Sequence, residues 1–102
     1  MELIGRAKEK FEEWFRNNQP LCEHLNLTIF YTLPKSTQWG VVQDWADSLG
    51  FELIVEASIE QDKYWYTIYK EDENILDDNF FYTRQEARNA AIKKLNELIN
   101  EQ

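Results

Sequence analysis

Apolar residues recur first with helical spacing, then in alternation, then with helical spacing again, and each change of period marks an element. Leu3, Ala7, Phe11 and Trp14, with Ile4 and Phe15 beside them, lay one apolar stripe along a first helix. Asn17, Asn18 and Pro20 end it, because Asn favours turns and Pro has no amide hydrogen to donate. From Leu21 to Leu33 two patterns compete: Leu27, Ile29 and Tyr31 alternate as in a strand, while Leu21, Leu25 and Ile29 suit a helix. Both readings stay open there. Pro34 closes the segment, and Ser36 is placed to cap a second helix that runs through Val41, Val42, Trp45 and Leu49 to a stop at Gly50.

After Gly50 the period becomes two. Phe51, Leu53, Val55, Ala57 and Ile59 fall on one face, with Glu52, Ile54, Glu56 and Ser58 on the other. A polar link, Glu60-Gln61-Asp62, leads to Lys63–Lys70, whose Tyr64, Trp65, Tyr66, Thr67, Ile68 and Tyr69 favour a strand. The two form an antiparallel hairpin, and the parity of its loop decides which aromatic residues enter the core. An even loop sets Ala57 against Tyr64, Val55 against Tyr66 and Leu53 against Ile68. It joins two consistently apolar faces and is the expected register. Trp65, Thr67 and Tyr69 then stand beside Glu52, Ile54 and Glu56 on the opposite face, a surface that needs a cover. Helix one is the expected cover, with a partner protein or a second copy as the alternative.

Residues 71 to 79 read as a polar turn and Phe80–Tyr82 as a third short strand. Thr83-Arg84-Gln85-Glu86 is a capping-box pattern that opens a last helix, Thr83 to Glu101, roughly 28 Å long. Ala87, Ala91, Leu95 and Leu98, flanked by Ile92 and Ile99, supply its apolar stripe. The fold class that follows is α+β: a three-stranded antiparallel sheet with two helices packed on one face, and the additional N-terminal amphipathic helix across an edge or the second face. A chain of 102 residues suits one domain, and no flexible linker divides it.

Composition narrows the function more than the fold. The net charge is −8, and most of it lies between residues 51 and 82, a field that repels phosphate backbones and favours basic partners. No apolar run is long enough to span a bilayer and the first residues do not resemble a signal peptide, so no membrane partner and a cytoplasmic location are expected. Cys22 is the lone cysteine, in keeping with a reducing compartment.

Catalytic and metal constellations are not assembled. Cys22 and the single histidine, His24, make a Cys-x-His pair with no second pair to complete a zinc site, and nothing marks Cys22 or a serine as activated. Asp72, Glu73, Asn74, Asp77 and Asp78 offer oxygens, but their loop lacks the central Gly and terminal Glu of a calcium loop. No cofactor, metal or catalytic residue is expected. The candidate protein-binding residues are Glu52, Ile54, Glu56, Trp65, Tyr69, Asp77 and Asp78.

Two resemblances extend this reading. The order helix, three strands, helix from Ser36 to Glu101 resembles that of double-stranded-RNA-binding domains, and Thr83-Arg84-Gln85-Glu86-Ala87-Arg88-Asn89-Ala90-Ala91 is similar to that family's basic signature. The likeness implies phosphate contacts from Arg84, Gln85 and Arg88, which hold the positions of three lysines. It departs at Gln85, which is uncharged, and at Glu60-Gln61-Asp62, where the family has a Gly-Pro loop for the minor groove. The segments Leu33-Pro34-Lys35-Ser36-Thr37-Gln38-Trp39-Gly40-Val41, Trp45-Ala46-Asp47-Ser48-Leu49-Gly50 and Tyr82-Thr83-Arg84-Gln85-Glu86-Ala87 resemble a group of small uncharacterised proteins of gut bacteria and their phages. That implies a phage or mobile-element origin. The expected function is a non-enzymatic module that binds a basic protein surface, and the alternative is a nucleic-acid-binding domain that uses the start of the last helix.

Overall fold

Among the described residues four helices and three strands form, in an order that follows the changes of period. A computed structural model describes residues 3–18, 26–71, 73–76 and 80–102. Cys22, His24, Asp72, Asp77 and Asp78 lie outside the described residues, as does the first part of the ambiguous segment. Helix α1, Gly5–Asn18, buries Ala7, Phe11 and Phe15 along the expected stripe. The Asn18 amide donates to the Trp14 carbonyl at 2.8 Å, which satisfies one of the acceptors a helix end leaves free.

Helix α2 is a single turn, Leu27–Phe30, with the Asn26 side chain accepting from the Ile29 amide. The described part of the ambiguous segment is thus one helical turn, followed by a turn at 31–33. Its core residue is Phe30, fully buried, a residue that neither competing pattern used. Helix α3 spans Lys35–Ser48 and is entered from Pro34, not capped by Ser36 as expected. The Pro34 carbonyl already accepts from Thr37 and Gln38 at 3.0 and 3.1 Å, so Ser36 lies inside the first turn. The buried Gln38 amide ties that entry down by donating to the carbonyls of Tyr31 and Leu33. Gly50, at φ +85, provides the stop.

Strand β1, Phe51–Ser58, pairs antiparallel with β2, Lys63–Lys70, in the even-loop register: Leu53 against Ile68, Val55 against Tyr66, Ala57 against Tyr64. The third strand differs from expectation. Strand β3 is Glu73–Leu76, within the stretch read as a turn, and it pairs with Thr67–Lys70. The sharp reversal at Glu71, φ 54, returns the chain at once onto β2. Only Phe81 of the expected Phe80–Tyr82 strand pairs, as an isolated bridge to Tyr64, while Tyr82 is 79% exposed and gives that segment no further anchor. Sheet order is β1-β2-β3.

Helix α4, Arg84–Asn100, begins as expected, with the Thr83 hydroxyl accepting from the Glu86 amide at 3.1 Å. α3 packs on β1, and α4 packs on β2 and β1. Both lie on the face of Leu53, Tyr66 and Ile68, which are buried with Val42, Trp45, Ala91 and Leu95 in one contiguous core.

Helix α1 is not on the second face or an edge of the sheet. It packs against α4, α2 and α3. Asn96 and Asn100 of α4 explain this placement. The Asn96 Oδ1 accepts from the Ile4 amide at 2.8 Å, the Asn100 Oδ1 accepts from the Ala7 amide at 2.9 Å, and the Asn100 amide donates to the Ile4 carbonyl at 3.1 Å. Two side chains of the last helix thus cap the first. Phe11 then meets Phe30 and Trp45 at ring-centroid distances of 5.5 and 5.2 Å, so the aromatic payload of α1 goes to the helical side.

Candidate functional site

The strand period that fills the core delivers a second set of residues to the other side of the sheet. Glu52 stands opposite Tyr69, Ile54 opposite Thr67 and Glu56 opposite Trp65. Ile54, Trp65 and Tyr69 are half-buried, Glu52 and Glu56 are exposed, and Thr67 at the centre is only 2% exposed. Among the described residues α3 and α4 are the helices that pack on the sheet, and both occupy the opposite face. The cover expected from α1 is therefore not present.

Phe80 belongs to this face and was not among the expected residues. It meets Trp65 edge-on, with centroids 6.1 Å apart and planes at 88°, and is 56% exposed. The Lys63 ammonium sits 5.3 Å from its centroid. The signal in the sequence was the pair Phe80-Phe81: once Phe81 turns inward to stack on Tyr66, its neighbour in extended backbone must turn out.

The surrounding charge is negative. Glu60 and Asp62 in the hairpin turn are exposed as well. Among the described residues the one ion pair is Lys94 with Glu97, at 3.7 Å on α4, so the sheet carboxylates have no cationic partner among the described residues. The two lysines of β2 are directed to rings, Lys63 to Phe80 and Lys70 to Phe51. Asp77 and Asp78, expected at this site, lie outside the described residues.

The other candidate group lies on the helical side. The Arg84 guanidinium is 5.5 Å from the ring centroid of Tyr64, an inner-face residue, and that of Arg88 is 5.7 Å from that of Trp39 on α3. The Arg88 Nε is buried with no hydrogen-bond partner. The Gln85 amide donates to the Asn89 Oδ1 at 2.9 Å along the helix. The two arginines therefore stand one turn apart on α4, each laid over a ring and neither paired with a described carboxylate. This set and the acidic face are on opposite sides of the sheet.

A groove of about 550 Å³ runs along α4, lined by Ile4, Lys35, Asn89, Lys93, Asn96 and Glu97. It brings two lysines and one carboxylate together without a nucleophile or an orienting base. Among the described residues no group of three or more His, Cys, Asp or Glu is placed to hold a metal ion, and no helix is long and apolar enough to cross a membrane. Compared with protein-family models, curated proteins and solved structures, the chain matches none of them.

Proposed function

We propose that the chain is a non-enzymatic protein-binding module that docks a basic partner on the second face of its sheet. One observation carries this reading: Trp65, Tyr69, Ile54 and Phe80 form an aromatic and aliphatic strip that no described element covers, while Glu52 and Glu56 stand unpaired beside it. Aromatic residues with a charged rim are the composition of docking surfaces, the rings supplying buried area and the carboxylates steering a cationic partner into register. The likeness to proteins of gut bacteria and their phages supports an accessory role in a phage or mobile element, with a bacterial host protein as the partner.

The test pairs two variants in host-extract capture, followed by titration of the purified captured protein. Trp65→Ala is expected to weaken binding by about 2 kcal/mol, as for a central aromatic anchor. Glu52→Lys with Glu56→Lys is expected to slow association and to remove its dependence on salt. Unchanged capture by both variants contradicts the proposal.

A second reading has its own observation, the guanidiniums of Arg84 and Arg88, which no described carboxylate pairs. It assigns a phosphate backbone to the start of α4 and requires steep salt dependence. Titration with duplex RNA at low and high salt decides it. Absence of binding at low salt removes that reading.

A further inference from the structure

Among the described residues strand β1 is the end strand of the sheet, and its hydrogen-bonding edge is open over half its length. Tyr64 exchanges both backbone hydrogen bonds with Phe81 at 2.8 Å, so alternate residues of β2 starting from Tyr64 turn toward β3 and the others toward β1. The register then directs Glu52, Ile54, Glu56 and Ser58 toward β2, and leaves the amides and carbonyls of Phe51, Leu53, Val55 and Ala57 pointing away from the sheet. A side chain of α3 agrees: the Gln43 amide donates to the Leu53 carbonyl at 3.0 Å from that side. Beyond Leu53 this cover ends. Val55 is half-buried, Ala57 is exposed and Ile59 is 94% exposed.

Natural edge strands are ordinarily shortened, bulged, broken by Pro or an inward charge, covered, or given charged side chains. In β1 all eight residues pair in unbroken register, and beyond the Gln43 contact at Leu53 its protection is the outward Glu52 and Glu56. Those two carboxylates select the occupant. Antiparallel pairing of two copies centred on Glu56 would set Glu56 against Glu56, and like charges directly opposite destabilise a strand pair; pairing centred on Val55 or Ala57 would set Glu56 against Ile54 or Ser58, without a cation. A strand with Lys or Arg at the facing positions gains an opposite-charge contact that no register of a second β1 offers.

We infer that the free edge of β1, from Val55 to Ser58, takes up an extended basic segment of another protein as a fourth strand. The guest alternates, with Lys or Arg on the face of Glu52, Glu56 and Trp65 and apolar residues on the face of Val55 and Ala57. Backbone hydrogen bonds to Val55 and Ala57 hold it, and the carboxylates set its register. This rests on the protein-docking reading and assigns that docking a strand edge and a guest pattern.

The probe is a short synthetic peptide alternating Lys and Val, with its Glu-for-Lys counterpart as control, and the readout is amide hydrogen exchange of the full chain by NMR. At saturation the Lys peptide slows the Val55 and Ala57 amides by about tenfold and leaves Ile54 and Glu56 unchanged, because these already bond to β2. The control peptide does neither. Ala57→Pro removes an outward donor that the free protein does not use, so the chain stays folded and loses the peptide. Glu56→Lys weakens binding about fivefold. Binding that shifts Trp65 and Tyr69 without slowing Val55 and Ala57 overturns the edge site and leaves face docking standing. No binding of the Lys peptide also overturns it, and face docking is then decided by the Trp65 and glutamate variants.

Discussion

The two faces of one strand pair have opposite fates. On the inner face Leu53, Tyr66 and Ile68 lie under α3 and α4 in the core; on the outer face Ile54, Trp65 and Tyr69, drawn from the same strands at alternate positions, remain half-exposed. Hydrophobicity does not separate them, since the outer face holds a Trp and an Ile. Allocation of helices does. Among the described helices, α3 and α4 cover the inner face, while α2 is a single turn and α1 is fixed to α4 by Asn96 and Asn100. An aromatic face that no described element covers is the physical basis for assigning it a partner.

The comparison breaks first under truncation of each face. Ile68→Ala is expected to lose about 2–5 kcal/mol of unfolding free energy in urea, the usual cost of emptying a closed core site. Trp65→Ala should lose about 1 kcal/mol, since its ring is half in solvent already. Equal losses would mean that the outer face is buried in solution.

Freeing α1 sharpens the comparison. Asn96→Ala removes the acceptor for the Ile4 amide and is expected to cost about 1–3 kcal/mol, the penalty for stranding a part-buried donor. Faster amide exchange at Ile4 and Ala7 would locate the loss in α1, leaving Val55 and Ala57 unaffected. Thr83→Ala, at the start of α4, should cost about 1 kcal/mol in the same measurement.

The smallest effect is a pH dependence on the helical side. Tyr31 has its phenol raised above the usual value of 10.0, mainly by burial and further by the Glu12 carboxylate, with Arg16 opposing. The folded chain therefore holds a proton that the unfolded chain has released. This contribution is complete below pH 10 and is lost progressively as the pH rises from there through the folded value. Tyr31→Phe should flatten that alkaline decline in a denaturation series.

Much of this arrangement was legible before any coordinates. The sheet register followed from parity, because Leu53, Val55 and Ala57 alternate cleanly and an even loop offers them Ile68, Tyr66 and Tyr64 as partners. Two things were not legible. Strand β3 carries only Ile75 and Leu76 in an acidic stretch, too short an alternation to stand out from a turn; the reversal at Glu71, not the pattern, places it. The position of α1 was hidden because its anchors are hydrogen bonds between residues at the two ends of the chain. The available clue was Asn96 itself, a polar residue set among Ile92, Leu95 and Ile99 in the buried stripe of α4, where its side chain needs a partner. Of the candidate site, Glu52, Ile54, Glu56, Trp65 and Tyr69 were brought together as the register required, and Phe80 joined them through a bridge that the short third strand did not suggest.

The most direct measurement is attenuation of the tryptophan indole signals by a soluble paramagnetic probe on the full chain in dilute solution. The account predicts that Trp65 is strongly attenuated and Trp45, 1% exposed against Phe11 in the core, is not. Trp65 as well protected as Trp45 would mean that the chain or a second copy already covers the face, and would contradict its assignment to a partner.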